Sequence, residues 1–469
     1  MIFTSLPFVI FFSLLYVLLF AIRNDIARRW ILLLASFFFY GYWNPWYLLL
    51  IWAVTGWSWL LGLYISAAPT PRRKKRGVAI GVTLSLLALA IFKYTGFFAD
   101  NVSAVFGWRM PAFLHDIVLP VGISFYTFHS ISYYVDVYRG QVAPARSLRD
   151  YALYIAFFPQ LVAGPIVRAS QFLPQLLRPI ALTRAGFVAG IRLVLAGAVQ
   201  KLLLADQVSP FVDQVYAHPA LYSGATEWLA AVAYAMQIFG DFSGYTLMAI
   251  GLARILGFEL PENFRMPYIS ASIVEFWRRW HITLSFFLRD YLYISLGGNR
   301  SGFLRTQANV FVTMVLGGLW HGASWNFVVW GFLHGTAIVW NHVWKLWPAP
   351  ILGRFALWRM FRWPVCWTLT FLFVTLAWIP FRAVHFDTTL LLLQRMFTLA
   401  DGVRWYHTPT LFTLAGFVLW HIAYLNNLRL NLRHCVDEYW VYATEVASLV
   451  TLLVMFAPLE TSPFIYFQF

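Results

Sequence analysis

The sequence predicts an all-α integral membrane protein, and three observations support that prediction. The 469-residue chain has a mean hydropathy of +0.67. Charged residues make up 11% of it, whereas soluble domains carry roughly 25%. Hydrophobic residues make up 61% and gather in long runs separated by short polar segments. At ~35–40 residues per helix and loop, this length allows about 11–13 membrane segments, with re-entrant and interfacial helices in addition.

The predicted membrane segments follow the apolar runs in order. The first covers residues 5–22 and has neither a basic flank before it nor a small-residue cleavage site, so we expect an uncleaved helix. The third ends at the basic stretch PRRKKR, residues 71–76, which we interpret as a loop. The remaining runs are 30–43, 78–99, 118–137, 183–205, 227–256, 306–320, 324–345, 363–383, 409–426 and 441–458.

The positive charge predicts orientation and argues against nucleic-acid binding. The net charge is +15, but the basic residues form short clusters between apolar runs, as in cytoplasmic loops that face anionic lipid. Lys and Arg are absent before the first run, and Arg23, Arg28 and Arg29 follow it. Basic residues also precede the last run, and only Glu460 follows it. Both termini are therefore expected on the extracytoplasmic side.

One apolar stretch is too short to span a membrane. Residues 156–168, AFFPQLVAGPIVR, are interrupted by two prolines and a glycine. Broken backbone at membrane depth survives only against protein or a water-filled cavity. We therefore interpret this stretch as a re-entrant or interfacial segment that lines a site.

Polar groups concentrate between residues 240 and 335, where an amphipathic helix is predicted from Ser270 to Arg300. Ser272 and Glu275 form a capping box at its start. Its aromatic and basic residues favour the cytoplasmic interface. Arg278 and Arg279 suit phosphate binding, and contact with lipid headgroups is the open alternative. We expect one continuous helix, in which one face carries Trp277, His281, Leu284 and Leu288.

His321, in GGLWHGAS, is the strongest candidate for a general base. A neutral imidazole titrates near working pH, and the flanking glycines let a substrate approach the backbone. The alternative is a histidine that is hydrogen-bonded within a helix bundle. His281 and His334 are weaker candidates, and His129 is weaker still. The histidine spacing supports no metal site.

Several long motifs resemble the membrane-bound O-acyltransferase (MBOAT) family, in particular its bacterial branch that acetylates exported polysaccharides. The resemblance covers nearly the whole chain, which is therefore expected to form a single MBOAT domain over residues 1–469. It rests on LPVGISFYTFHSISYYVDVYRG (119–140), FFPQLVAGPIVR (157–168), DFSGYTLMAIGLARILGF (241–258), EFWRRWHITLSFFLRDYLYISLGGNR (275–300) and GGLWHGASWNFVVWG (317–331).

The resemblance implies a multi-helix bundle in which a cytoplasmic funnel and an outer opening meet near a catalytic histidine. His321 matches that histidine and His281 matches the second histidine region, so we assign both as catalytic residues, together with Tyr466. We also assign substrate binding to Arg278, Arg279, Asp241, Trp320 and Asn326. Acetyl-CoA is the implied acyl donor, with no permanently bound cofactor. The implied partners are a periplasmic SGNH-type acetyltransferase, the export machinery of a polysaccharide such as alginate or cellulose, and inner-membrane lipid.

The C-terminal stretch SPFIYFQF, residues 462–469, has two interpretations. Composition alone favours an aromatic belt at the membrane interface. The resemblance instead implies an extracytoplasmic motif in which Tyr466 carries the acyl group outward. A phenol becomes a useful nucleophile when a base lies beside it.

Two other functions remain open at this level. An acyltransferase that acts on peptidoglycan, lipid or protein fits the same motifs. A transporter or flippase fits less well, because paired broken helices in two symmetric halves are absent from the sequence.

Overall fold

The computed structural model describes residues 1–108, 110–162, 164–425, 438–458 and 462–465. Within these ranges the regular elements are helices, and one isolated parallel bridge joins Tyr222 and Val403. The all-α prediction is confirmed. The chain divides into two compact units, of which the first comprises Met1–Val194 and Tyr245–Pro261. The second comprises Leu195–Gly244 and Glu262–Phe469. A single domain over residues 1–469 stays a prediction.

The apolar runs predicted in the first part of the chain appear as helices of the first unit, and shorter helices lie outside those runs. The helices of this unit are α1 (Leu6–Ala21), α2 (Asp25–Gly41), α3 (Tyr47–Ala67), α4 (Pro71–Phe106), α5 (Ile123–Tyr138), α6 (Leu148–Ala156), α7 (Phe158–Leu161), α8 (Ala169–Phe172) and most of α9 (Arg184–Val199).

The second unit begins inside α9, which continues as a π-helical segment, Gln200–Asp206. A second π-helical segment covers Leu288–Tyr293. Each apolar run predicted in this part of the chain appears as a helix, and shorter helices lie outside those runs. The α-helices here are α10 (Ser209–Ala217), α11 (Gly224–Ile255, whose end belongs to the first unit), α12 (Ile273–Arg279), α13 (Ile282–Phe287), α14 (Gly302–His321), α15 (Trp325–Leu346), α16 (Pro348–Leu352), α17 (Ala356–Arg382), α18 (Phe386–Thr398), α19 (Thr408–Leu425) and α20 (Glu438–Phe456).

The basic stretch 71–76 is helical, which corrects the loop interpretation. Thr70 is the N-cap of α4, and its hydroxyl accepts a hydrogen bond from the backbone N–H of Arg73 at 3.3 Å. Pro71 occupies the first helical position, where its missing N–H has no intrahelical partner to lose. Thr-Pro is thus a start signal that outweighs the run of charges after it.

The interrupted stretch 156–168 is broken, as predicted. Helix α6 ends at Ala156, and the short α7 stops at Leu161. Phe158, Pro159 and Gln160 are buried within the first unit. The amide of Gln160 donates to the carbonyl oxygen of Tyr154 at 2.5 Å, which satisfies backbone that the break would leave exposed. A role for this stretch in lining a site stays a prediction.

Five helical segments among the described residues are long and apolar enough to cross a membrane. They are Tyr47–Ala67, Pro71–Phe106, Arg184–Ala217, Ala356–Arg382 and Thr408–Leu425. Several spans of this kind indicate a multi-pass membrane protein. The count of 11–13 segments and the orientation of the termini stay predictions.

Candidate active site

His321 is the last residue of α14, at a point where the helix must stop. Gly322 has extended backbone angles, φ −160° and ψ 152°, and a Cβ at that position would overlap the ring of Phe327. The His321 side chain is 4% exposed. Its ring centroid lies 4.9 Å from that of Trp320, 5.0 Å from that of Trp330 and 5.2 Å from that of Phe381. The candidate base therefore sits in an aromatic enclosure at a helix end.

Glycines bring the backbones of α14 and α15 together and so set the position of His321. A Cβ on Gly318 would lie 2.9 Å from Cα of Gly331. A Cβ on Gly331 would lie 2.5 Å from the carbonyl oxygen of Met314. Small residues on both helices allow this close approach. Trp330, one residue before Gly331, is thereby held against the His321 ring.

His281 lies at a helix break, which corrects the prediction of one continuous helix from Ser270 to Arg300. The start is as predicted: Ser272 is the N-cap of α12, and its hydroxyl accepts from the Glu275 N–H at 3.2 Å. However, α12 ends at Arg279, and His281 has a positive φ of 42° before α13 begins. A positive φ is unusual for a residue other than glycine and persists only when the surroundings impose it.

Asn263 imposes that conformation. Its side-chain oxygen Oδ1 accepts hydrogen bonds from the backbone N–H of Thr283 at 3.1 Å and the hydroxyl of Thr283 at 2.9 Å. The same oxygen lies 3.1 Å from Nδ1 of His281. Because an amide oxygen only accepts, Nδ1 carries the proton and Nε2 presents a lone pair. Among the described residues Nε2 of His281 has no hydrogen-bond partner.

Burial keeps the His281 imidazole neutral. The side chain is fully buried, and it lies outside the five membrane-spanning segments. Desolvation lowers its pKa from 6.5 to about 3, because burial disfavours the charged ring. His281 therefore offers a neutral acceptor nitrogen near neutral pH.

Trp320 joins the two histidines within the second unit. Its ring centroid is 4.9 Å from that of His321 and 6.4 Å from that of His281. Phe242 packs edge-on against His281 with centroids 4.7 Å apart. The structure thus brings together His321, His281 and Trp320, three of the residues that the sequence predicted for the site.

His334 and His129 have the surroundings of structural histidines. His334 is fully buried, and its Nδ1 accepts a hydrogen bond from the indole N–H of Trp277 at 3.3 Å. His129 is fully buried in the first unit, where its ring packs against Tyr154 with centroids 5.3 Å apart. The hydrogen bond favours the structural alternative for His334, whereas neither ring nitrogen of His129 has a hydrogen-bond partner among the described residues.

The two arginines of α12 differ in their environment. Arg278 is exposed, and the described residues include no ion-pair partner for it. Arg279 is paired with Glu275, with Nη2 and Oε1 3.0 Å apart, and it also donates to the carbonyl oxygen of Arg265 at 3.2 Å. Arg278 is therefore the better placed of the two to bind an external anion.

Asn326 is engaged in a contact within the fold. It is 2% exposed near the start of α15, and its amide donates to the carbonyl oxygen of Ala383 at 2.7 Å. The hydroxyl of Thr389 donates to its side-chain oxygen at 3.3 Å. These bonds tie α15 to the chain between α17 and α18.

Asp241 contacts the C-terminal stretch. Its Oδ1 lies 2.6 Å from Nζ of Lys201, and its Oδ2 accepts from the backbone N–H of Ile465 at 2.7 Å. Lys201 also pairs with Asp206 at 2.7 Å. Tyr466 itself lies outside the described residues, which stop at Ile465 in this stretch.

Sequence reasoning missed Lys201, Asp206 and Asn263. The first two lie inside the predicted apolar run 183–205 or directly after it, and an ionisable residue in such a run is a signal of function. Nothing in the sequence around Asn263 indicates a functional role, because the residue reaches His281 only in the folded chain. Among the described residues no three His, Cys, Asp or Glu side chains group as metal ligands would.

Comparison with known proteins identifies the family. Residues 142–379 match the membrane-bound O-acyltransferase family, which covers half of the chain. The chain belongs to this family. It is also 41% identical over 405 residues to the probable alginate O-acetylase AlgI of Azotobacter vinelandii, covering 86% of this chain and 79% of that protein. Membership makes it an O-acyltransferase of the MBOAT type.

Two further relatives of this MBOAT protein bear different substrate names. The probable alginate O-acetylase AlgI of Pseudomonas aeruginosa is 41% identical, covering 85% of this chain and 75% of that protein. The peptidoglycan O-acetyltransferase of Helicobacter pylori is 34% identical, covering 82% of this chain and 76% of that protein.

Proposed function

We propose that this protein is a transmembrane O-acetyltransferase of the bacterial inner membrane, which moves acetyl from cytosolic acetyl-CoA to hydroxyls of an exported polysaccharide. The observation that carries the proposal is the position of His321. It is a buried histidine at a helix end, enclosed by aromatic rings and linked through Trp320 to a second histidine of fixed tautomer. Such an enclosure excludes water, which would hydrolyse an acetyl thioester.

In the proposed reaction the imidazole of His321 takes the proton of an acceptor hydroxyl. The hydroxyl oxygen attacks the thioester carbonyl carbon, and the carbon–sulfur bond breaks. The departing thiolate then takes the proton from the imidazolium, which yields free CoA. General base catalysis of this kind supplies about 10²–10⁴-fold, and positioning of the two substrates supplies more.

Binding of the donor is assigned to Arg278. Acetyl-CoA carries phosphates, and an exposed arginine without an internal partner offers a bidentate donor for them. Arg279 contributes less, because Glu275 and the Arg265 carbonyl already engage it. No permanently bound cofactor is required, since the acyl group arrives already activated as a thioester.

A relay through Tyr466 is the proposed route outward. The support is the anchoring of the residues before it. Phe464 is fully buried against Phe242, with ring centroids 5.8 Å apart, and Phe242 packs on His281. Tyr466 would accept acetyl as a phenyl ester, and a hydroxyl of a periplasmic SGNH-type partner would displace the phenol. The partner would then acetylate the sugar, with both termini of this chain on its side of the membrane.

Two polymers are candidates for the acceptor. Alginate is favoured by the 41% identity to proteins named alginate O-acetylases. Peptidoglycan is the second candidate, favoured by the 34% identity to a peptidoglycan O-acetyltransferase. The same reaction serves either, because both offer sugar hydroxyls outside the cytoplasm. Incubating the protein and its partner with each polymer, and measuring which polymer becomes acetylated, distinguishes the two candidates.

The experiment that tests the proposal measures transfer from labelled acetyl-CoA in proteoliposomes that contain the purified protein. We expect His321→Ala to lose about 10²–10⁴-fold in rate. His218→Ala is the matched control, because His218 is an exposed histidine of the same unit. Transfer by His321→Ala at the wild-type rate would exclude His321 as the base.

A further inference from the structure

The C-terminal stretch is held by buried charges in the second unit. Nζ of Lys201 lies 2.7 Å from Oδ1 of Asp206 and 2.6 Å from Oδ1 of Asp241. It also donates to the carbonyl oxygen of Ser462 at 2.9 Å. An ammonium group has three N–H donors, and these three acceptors match that number. The lysine thus joins two carboxylates to the main chain of the C-terminal stretch.

Asp241 holds the other end of the same short stretch. While its Oδ1 faces Lys201, its Oδ2 accepts the backbone N–H of Ile465 at 2.7 Å. The contacts at Ser462 and Ile465 both use main-chain atoms, so they fix the position of the chain whatever its side chains. Phe464 lies between them and is fully buried. The residue that follows these two contacts in the sequence is Tyr466.

Local backbone features bring Lys201 and Asp241 together. Lys201 and Asp206 lie in the π-helical segment Gln200–Asp206, whose wider turns relate residues five apart. On α11, a Cβ at Gly244 would lie 2.6 Å from the carbonyl oxygen of Gly197, and one at Gly240 would lie 2.9 Å from Cβ of Leu204. A small-xxx-small pair therefore lets α11 approach the π-helical segment closely, with Asp241 beside Gly240.

The composition of this cluster points to a ligand. One lysine and two aspartate side chains meet away from water. Buried ionisable groups in a membrane protein are expensive, and a well-packed apolar set is often as stable. The Ile465 N–H donates a hydrogen bond to Asp241, which also pairs with Lys201. The C-terminal main chain thus complements the charges that the fold leaves there.

We propose that Lys201, Asp206 and Asp241 form a docking site for the main chain of residues 462–465, which sets the position of Tyr466. The proposal rests on the function proposed above, because its purpose is to present that tyrosine. The three residues act as positioning residues. The ligand class is a short extended peptide that offers a carbonyl oxygen and, three residues later, an amide N–H.

The test measures hydrogen exchange of the C-terminal peptide in the full-length protein. Lys201→Met/Asp241→Leu removes one cation, one anion and the acceptor of the Ile465 N–H, and the net charge is unchanged. We expect the amides of Phe464 and Ile465 to exchange about tenfold faster or more, the size expected for losing a hydrogen bond to a charged group. Arg395→Met/Glu227→Gln is the matched control, since it removes an ion pair of the same unit, with Nε and Oε1 2.9 Å apart, that does not line the cavity around Lys201.

A second variant keeps the cluster intact. Ile465→Pro removes the N–H that Asp241 accepts, and Ile465→Val retains it. We expect faster exchange at Phe464 in the proline variant alone. Unchanged exchange in both Lys201→Met/Asp241→Leu and Ile465→Pro would overturn the docking site.

A third variant separates this proposal from the relay. If Tyr466→Phe transfers acetyl at full rate while its C-terminal amides exchange slowly, the relay fails and the docking site stands. If the wild-type C-terminal amides exchange as fast as in an unfolded peptide, the docking site fails, whatever the activity of Tyr466→Phe.

Discussion

Oδ1 of Asn263 lies 3.1 Å from Nδ1 of His281, and the same oxygen accepts two hydrogen bonds from Thr283. This contact holds a non-glycine residue at a positive φ and fixes which ring nitrogen carries the proton. Asn263 is therefore a positioning residue for His281. The backbone N–H of Ile282 also donates to the backbone carbonyl oxygen of Asn263 at 2.9 Å. Both the side chain and the main chain of Asn263 therefore hold the helix break at His281.

Removing the Asn263 side chain should impair acetyl transfer, because Asn263 positions His281, a predicted catalytic residue. Asn263→Ala leaves Nδ1 of His281 and the Thr283 donors without their acceptor, so the tautomer and the ring orientation are no longer fixed. Leaving a buried hydrogen-bonding group unsatisfied costs about 1–3 kcal/mol, so we expect kcat to fall by about 10–100-fold. Labelled acetyl-CoA transfer, corrected for folded protein, measures it. An unchanged kcat would show that the orientation of His281 does not matter.

Asn263→Asp should shift the pH dependence in a defined direction. In the wild-type protein burial holds the pKa of His281 at about 3, so the ring stays neutral. A carboxylate at position 263 favours the imidazolium and raises that pKa. Activity that needs neutral His281 then falls as the pH drops through the raised pKa and returns at alkaline pH. Superimposable pH–rate profiles for the two proteins would contradict this account.

Glycines at the α14–α15 crossing should tolerate no side chain. Gly318→Ala places a methyl group 2.9 Å from Cα of Gly331, and backbone cannot move away as a flexible side chain can. We expect a loss of about 1–3 kcal/mol in stability, measured by thermal unfolding in detergent. Gly416→Ala on α19 is the control, because a Cβ there meets nothing within 4 Å. Equal unfolding temperatures for the two variants would refute the close crossing.

Asn326 should affect stability more than substrate binding, in contrast to the role predicted for it from sequence. Asn326→Ala removes a hydrogen bond to the Ala383 carbonyl oxygen and one from the Thr389 hydroxyl, both in a buried setting. Leaving such groups unsatisfied costs about 1–3 kcal/mol. The KM for acetyl-CoA of the folded variant should equal that of the wild type. A raised KM at unchanged stability would restore the substrate-binding role.

Arg278 should contribute to donor affinity and Arg279 to helix structure. We expect Arg278→Gln to raise the KM for acetyl-CoA, with kcat nearly unchanged. Arg279→Gln should leave KM close to wild type, because that side chain is engaged by Glu275. Kinetics in vesicles with and without anionic lipid test the headgroup alternative. If Arg278→Gln changes only the response to anionic lipid, the arginine contacts headgroups and not the donor.

Much of the fold was predictable because each membrane helix corresponds to a long apolar run that is visible in the local sequence. Each apolar run of the sequence appears as a helix, and the capping box of Ser272 and Glu275 starts α12 as predicted. The Thr70–Pro71 start signal was also present in the sequence, but the basic run after it led to a loop interpretation.

The break at His281 and the charge cluster were not predictable in the same way. Trp277, His281, Leu284 and Leu288 have helical spacing, and contacts with residues far earlier in the chain hold it out of the helix. Asn263 contacts His281, and the backbone N–H of Arg265 donates to the carbonyl oxygen of Arg279 at 2.9 Å. Lys201 and Asp241 are forty residues apart, so their pairing depends on the glycines that let two helices approach. His321 and Trp320 were predictable, since a motif carries both.

The central claim is that His321 drives transfer of acetyl from the cytosolic donor toward the C-terminal tyrosine. Mass spectrometry of the C-terminal peptide after incubation with isotopically labelled acetyl-CoA tests it most directly. We predict one labelled acetyl group on Tyr466 in the wild-type protein and in His218→Ala, and none in His321→Ala. Labelling of Tyr466 in His321→Ala to the wild-type level, or an unlabelled Tyr466 in a fully active wild-type protein, would contradict the account.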